Sequence, residues 1–336
     1  MLRRSVRSRL LAILTAGLIL AGCGASGPGG SPATGATPTR AATLVLDFTP
    51  NAVHAGIYAA IARGYDRDQG VRLDVIAPSA STDSVKLLTT GRADFAILDI
   101  HDLAIARERG ENIVGIMAIV ERPLAAVIAA PAITSPSELD GKTVGVTGVP
   151  SDAAVLRSIV AGAGGDPRKL ATITIGFNAV PALLSGRVAA ATAFWNDEGL
   201  TLQHDRPGFH VFRVEDYGAP SYPELVLCAT AATLHDDPGL ADAVVRALAR
   251  GYEFTRAHPE RSERELEALV PALDPELVSE QLQAELPAFA APDGRVGELD
   301  LAALRAWARW EARFGIVSSP PNVGATFDPS FVDRAG

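Results

Sequence analysis

From residue 43 to residue 230 the chain alternates short, almost continuously apolar runs with amphipathic stretches. "TLVLDF" precedes "HAGIYAAIARGYDRDQG", "VRLDVIAP" precedes "STDSVKLLTTGRA", and "DFAILD" precedes "IHDLAIARERG"; "NIVGIMAIVE" and "LAAVIAA" follow. A strand that is apolar at every position has no wet face, so both faces of its sheet must be covered, and the intervening helices cover them. The expected fold is therefore α/β, with mostly parallel sheets. The pattern restarts at "SPSELDGKTVGVTG" and runs through "SDAAVLRSIVAGAGG", "ATITIGF", "NAVPALLSGRVA" and "AATAFWN". The segments "FHVFRVEDYG" and "ELVLCAT" add strands, and beyond them the chain is mostly helical. This is more chain than one small core holds, so two lobes are expected. Natural breaks near "ERPLAAVI" and "YPELVL" predict a discontinuous first lobe, 43–124 plus 226–336, and a second lobe, 125–225. No short repeat period is present, which excludes a solenoid.

The first 22 residues read as a leader. "MLRRSVRSR" carries four Arg and no acid, and "LLAILTAGLIL" is an apolar run of 11 residues ending before "AGC". A membrane-spanning helix needs about 20 apolar residues, so this run suits a secretory signal better. "LAGC" resembles the lipobox of bacterial lipoproteins, which implies lipidation at Cys23. Residues 23–42, rich in Gly, Pro, Ser, Thr and Ala, read as a flexible tether. Acyl chains on Cys23 would hold the domain on the extracytoplasmic face of the cell membrane.

Composition excludes several functions. The net formal charge is −9 although the leader is basic, which disfavours nucleic acid as a partner. Cys23 and Cys228 are the two cysteines, so no disulfide framework or Cys-based zinc site is expected, and Cys228 in "ELVLCAT" reads as a small core residue. The six His are scattered without metal-binding spacing, and there is no GxSxG elbow or GxxxxGK phosphate loop. No catalytic residue, metal or cofactor is expected.

Ligands of open α/β sheets bind at the carboxyl ends of strands. That rule selects Phe48, Asn51 and His54 after the first strand, with Tyr58 one turn further along the same helix face. "TPN" is also good turn chemistry, and Asn51 could equally cap the helix. Asp99 ends "DFAILD" and could cap instead, as could Asp102. Glu121 ends an apolar strand at a predicted lobe crossing, where a hinge ion pair with Arg122 is the alternative. Ser151 stands at a helix start, as a simple N-cap or a ligand contact; Asp152 beside it opposes an anion. In "AFWNDEG", Trp195 offers a stacking face, Asn196 a donor and an acceptor, and Glu198 a carboxylate. Tyr222 and Glu224 follow in "VEDYGAPSYPEL", where a Pro-braced connection is the alternative. Trp307 and Trp310 read as core.

The two α/β halves, "SPSELDGKTVGV" and "LLTTGRADFAI" are similar to the substrate-binding proteins of ATP-driven importers, type II periplasmic-binding-protein fold. More narrowly, "LDFTPNAVHAGIYAA", "GVPSD", "FWNDEG" and "VEDYGAPSYPELVL" resemble the SsuA-like branch grouped with thiamine-pyrimidine synthases, which includes hydroxymethylpyrimidine- and formylaminopyrimidine-type binding proteins. The resemblance implies a monomeric binding protein that serves an ABC permease and its ATPase. Its ligand would be a small planar heterocycle, a thiamine-related pyrimidine, with Glu198, Glu224 or Glu121 reading the amidine-like edge. Phe48, His54, Asn196 and Glu198 are then expected to line one gap. The synthases of the group carry a Cys-rich run tied to iron and use a His as donor. This chain has His54 but no Cys run, and Lys86, Lys142 and Lys169 are its only lysines. A synthase-type enzyme is the alternative, as is a binding protein for riboflavin, an alkanesulfonate or another anion, which Arg92 or Arg122 in the cleft would favour.

Overall fold

The computed structural model describes residues 39–80 and 82–335. The leader, Cys23 and the tether up to residue 38 lie outside the described residues. Ten strands form two five-stranded sheets of the same plan. In the first, β1 (Arg40–Val45), β2 (Val71–Ile76) and β3 (Phe95–Asp99) are parallel, with β10 (Leu225–Thr230) antiparallel between β3 and β4 (Ile113–Val120), in the order β2-β1-β3-β10-β4. In the second, β6 (Thr143–Val146), β7 (Ala171–Thr174) and β8 (Ala190–Phe194) are parallel. There β5 (Ala125–Ala129) runs antiparallel between β8 and β9 (His210–Arg213), in the order β7-β6-β8-β5-β9. The chain leaves the first sheet after Val120 and returns to it at Leu225.

Burial explains why the runs are apolar throughout. β5 is buried at every position, and Phe95–Leu98 in β3 are too, because helices cover both faces. Cys228 is fully buried in β10. Trp307 and Trp310 lie in the helix Leu301–Phe314, at 0% and 5% exposure. That helix packs on the second-sheet helix Pro150–Gly162, and its tryptophans share a core with residues of both sheets.

A close helix crossing lies under the strand-one turn. The helix Ala55–Ala62 packs on the long helix Pro238–Ala257 with glycine on both sides. A Cβ added at Gly251 would stand 2.0 Å from the carbonyl oxygen of Gly56. A Cβ at Gly56 would stand 2.4 Å from Cγ of Tyr252. Tyr252 in turn donates its hydroxyl to the carbonyl of Val53 at 2.9 Å, which ties the long helix to the turn that leads out of β1. Among the described residues no helix is long and apolar enough to cross a membrane.

Candidate functional site

Residues at the carboxyl ends of β1 and β3 and residues following β6, β7 and β8 line one cleft of about 820 Å³, counted with its open mouth. Asp47 and Phe48 enter from β1, and Asp99, His101 and Asp102 from β3 and the helix after it. The second sheet contributes Thr147, Ser151 and Asp152 after β6, Phe177 after β7, and Phe194 with Glu198 at the end of β8. Phe48 and Phe177 meet edge to face, with centroids 4.4 Å apart and planes at 72°. This contact joins a loop of the first sheet to a loop of the second.

Charge is the most telling property of the lining. Asp47, Asp99, Asp102, Asp152 and Glu198 all face the cleft, and among the described residues no Lys or Arg lines it. Arg92 is exposed elsewhere, and Arg122 is half exposed, 3.7 Å from Glu215. Three of these acids are anchored by hydrogen bonds. Asp99 caps the helix Ile100–Glu108, accepting the His101 N–H at 2.7 Å. Asp152 accepts the Thr147 N–H and hydroxyl, both at 2.6 Å. Glu198 accepts the Phe194 N–H at 2.9 Å. Burial pushes the carboxyls of Asp99 and Asp152 up, and that of Asp102 well up, where the charges of Asp99 and Asp152 add to it. Glu198 rises to about 8, through burial first and the neighbouring Asp197 second. Burial thus favours the protonated form of these acids, in which a carboxyl can donate as well as accept.

Of the residues selected from the sequence, Phe48, Asp99, Ser151 and Glu198 line the cleft. Ser151 is not an N-cap: the helix begins one residue earlier, with Pro150 in its first turn and Val149 as the cap residue, because the fixed φ of proline suits a first helical position. The other eight do not line it. Asn51 caps the turn Ala52–His54, accepting the Val53 N–H at 3.0 Å, and donates to Asp197 at 3.3 Å. His54 is fully buried behind Asp47. Its Nδ1 accepts the Asn51 N–H at 3.2 Å, so Nε2 carries the proton and donates to Asp47 at 2.9 Å. His54 thus orients a cleft acid instead of facing the cleft. Tyr58 is in the core of the first sheet, where burial pushes its hydroxyl up to about 12.

Trp195 and Asn196 fall in the π-type turn Trp195–Gly199. Positions 194 and 198 share one face of that turn, which turns 195 and 196 away. Trp195 donates to the Pro123 carbonyl at 3.0 Å and stacks under Arg213, and Asn196 donates to the buried Glu285 at 2.6 Å. Glu121 rises to about 8 through burial and the charge of Glu298, outside the cleft. Tyr222 and Glu224 stand one layer behind the cleft, next to His101. The Tyr222 hydroxyl is 3.2 Å from His101 Nε2, and Glu224 accepts the N–H groups of Leu124 and Ala125 at 2.5 and 3.0 Å. Phe48, His54, Asn196 and Glu198 therefore do not share one gap; Phe48 and Glu198 do.

Sequence reasoning passed over Asp47, His101, Thr147, Phe177 and Phe194, and did not select Asp102 and Asp152. All of them obey the same strand-end rule. What the rule lacks is the direction of each side chain at the strand exit.

The raised acids have a consequence for stability. Glu121, Glu198 and Glu224 hold a proton up to about 8, against 4.5 for an ordinary Glu. Between those values the native state binds more protons than the unfolded chain, so stability falls as pH rises through that window. Burial opposes the charged form of His101, but Glu311 and Asp99 outweigh it and push the imidazole from 6.5 up to about 10, which acts in the same direction. The Tm of the ligand-free chain, followed by circular dichroism, is expected to fall by roughly 5 °C or more between about pH 5 and about pH 8. A Tm that held or rose would mean these groups are ionised in the folded state.

A family profile described as NMT1/THI5 like matches residues 51–262. A formylaminopyrimidine-binding protein of Halalkalibacterium halodurans is 30% identical over 300 residues, covering 87% of this chain and 89% of that protein. A 4-amino-5-hydroxymethyl-2-methylpyrimidine phosphate synthase of Legionella pneumophila is 23% identical, covering 74% of this chain and 79% of the enzyme. Among solved structures, the periplasmic aliphatic sulphonate binding protein SsuA of Escherichia coli superposes with a TM-score of 0.68 at 13% identity, over 86% of this chain and 92% of that one. The likeness to SsuA, with the two sheets of one plan, makes the fold that of the periplasmic binding proteins.

Proposed function

This chain belongs to the NMT1/THI5-like family, and we propose that it is a lipid-anchored, extracytoplasmic solute-binding protein for a thiamine-related aminopyrimidine. It would work as a monomer and deliver its ligand to an ABC permease and its ATPase. The observation that carries the choice of ligand is the lining: five carboxyl side chains and, among the described residues, no Lys or Arg. A sulfonate or nitrate would have to shed water in a lining with no cation to receive it, and its charge would oppose the ionisation of every acid there, which is costly. An aminopyrimidine offers donors instead. Its exocyclic amine and protonatable ring nitrogen suit two oxygens of Glu198 or Asp152, with charge-assisted bonds if the ring is protonated. Phe48 and Phe177 supply ring surfaces from opposite sheets. The similarity to a formylaminopyrimidine-binding protein points the same way.

The lobes, 43–124 plus 226–336 and 125–225, each hold part of this lining. Ligand bound to both would favour the closed state by its differential affinity, and closure would present a new surface to the permease. The synthase alternative has less support: a pyridoxal phosphate enzyme needs a lysine, and none of Lys86, Lys142 and Lys169 lines the cleft.

Calorimetry of the full chain with a formylaminopyrimidine, riboflavin and an aliphatic sulfonate tests the reading. The pyrimidine is expected to bind at micromolar Kd or tighter, about −8.2 kcal/mol or better, and the sulfonate to give no heat. Binding of the sulfonate without binding of any planar heterocycle would overturn it.

A further inference from the structure

We propose that Asp99, His101 and Glu224 form a binding site for a first-row divalent transition metal in the wall of the cleft. One ligand atom from each lies within 4.8 Å of the other two. His101 and Glu224 are 1% and 0% exposed. His101 Nδ1 pairs with the carboxylate of Glu311, which leaves Nε2 facing Glu224 Oε1 at 3.8 Å. A carboxylate behind one imidazole nitrogen, with the other nitrogen presented outward, is how metal-binding histidines are oriented.

The second observation is independent of the cluster's charge. Glu224 spends Oε2 on two backbone N–H groups, while Oε1 is buried without a hydrogen-bond partner. A buried carboxylate oxygen left unpaired is costly. A cation between Oε1, Nε2 and a carboxylate oxygen of Asp99 would satisfy it. Asp99, Glu224 and Glu311 surround a single imidazole, and the ion would bind Asp99 and Glu224 in their ionised forms. In a tetrahedron with bonds of about 2.1 Å the edges are about 3.4 Å, so the three ligand atoms, within 4.8 Å of one another and 3.8 Å apart between His101 and Glu224, would draw together on binding. One nitrogen and two carboxylate oxygens suit zinc, manganese or iron(II) rather than a soft ion.

Without metal, Nε2 shares a proton with the Tyr222 hydroxyl at 3.2 Å. The ion would take the Nε2 lone pair; a proton on Nε2 and any on the carboxyls of Glu224 and Asp99 would leave to solvent, while Tyr222 would keep its own. Asp99 and His101 line the cleft, so a remaining coordination position would be open to ligand or water.

Zinc is the probe. The full chain is treated with chelator, desalted and titrated with Zn²⁺ by calorimetry, with no organic ligand present. One equivalent is expected to bind at micromolar Kd or tighter. Glu224→Gln and His101→Gln are each expected to weaken it 100-fold or more, and Glu311→Gln, which only orients the imidazole, by about 10–100-fold. Tyr222→Phe keeps all three ligands and is expected to bind zinc at least as tightly as the parent, which separates loss of a ligand from loss of packing. Circular dichroism of each variant checks the fold. No binding by the parent, or binding that Glu224→Gln leaves unchanged, would overturn the site. The pyrimidine titration, repeated in chelator, stands or falls separately.

Discussion

Replacing Glu198 by alanine is expected to weaken aminopyrimidine binding by roughly 100-fold or more, the largest loss of any single cleft substitution. The carboxyl group is anchored on one side by the Phe194 N–H at 2.9 Å and faces the cleft on the other. Once its proton has passed to the ring nitrogen of the ligand, the carboxylate can take two hydrogen bonds from a donor edge, and bonds to charged groups contribute about 1.5–3 kcal/mol each. Losing about 3 kcal/mol of binding corresponds to about two decades in Kd. The fold does not depend on this acid in the same way. Burial and Asp197 hold it protonated up to about 8, so at higher pH its removal relieves an unfavourable charge. Glu198→Gln keeps one acceptor and is expected to fall between parent and alanine variant. Calorimetry of both variants, with thermal melts as control, makes the measurement. An alanine variant that binds like the parent would remove Glu198 from the ligand's edge.

Gly251→Ala is expected to carry the largest effect on stability, about 3 kcal/mol or more. Most overpacked sites are relieved by a change of rotamer. Here the new methyl meets a backbone oxygen at 2.0 Å and the Cβ of Ala60 at 2.9 Å, so the two helices must separate. The separation would be felt at the cleft, because the Tyr252 hydroxyl holds the Val53 carbonyl in the turn that follows Asp47 and Phe48. Denaturant unfolding is expected to show the lower stability, with Tm lower by roughly 5–10 °C. Gly239→Ala is the internal control. It lies in the first turn of the same helix, exposed, with Asp237 Oδ1 the nearest atom to a new Cβ at 3.9 Å, and is expected to be neutral or slightly stabilising. Equal stabilities for the two variants would mean that the crossing yields more easily than its geometry implies.

The strand-end rule worked unevenly for a reason visible at single residues. In "LDFTPNAVH" it selected Phe48, which lines the cleft, together with Asn51 and His54, which hold the turn and Asp47 in place. Turn chemistry and cleft lining are divided between neighbouring side chains of that stretch. In "AFWNDEG" the most conspicuous residue, Trp195, is turned under Arg213, while the less conspicuous Phe194 and Glu198 line the cleft. A π-type turn at Trp195–Gly199 decides this, and such turns have no strong sequence signature. His101 had no motif to mark it. Its partners Tyr222, Glu224 and Glu311 are more than a hundred residues away in the chain, so only folding gathers them.

The α/β class, the paired strand-and-helix halves and the acidic character follow from the order and composition of the residues. Hydrophobic periodicity is local along the chain and net charge is a sum over it, so both survive any detail of packing. Which acids meet across the cleft, and which polar residues merely support them, depends on packing between distant segments. Those choices turn on the direction of a few side chains at strand exits, and that direction is set by helix crossings and turns whose partners lie far away in sequence.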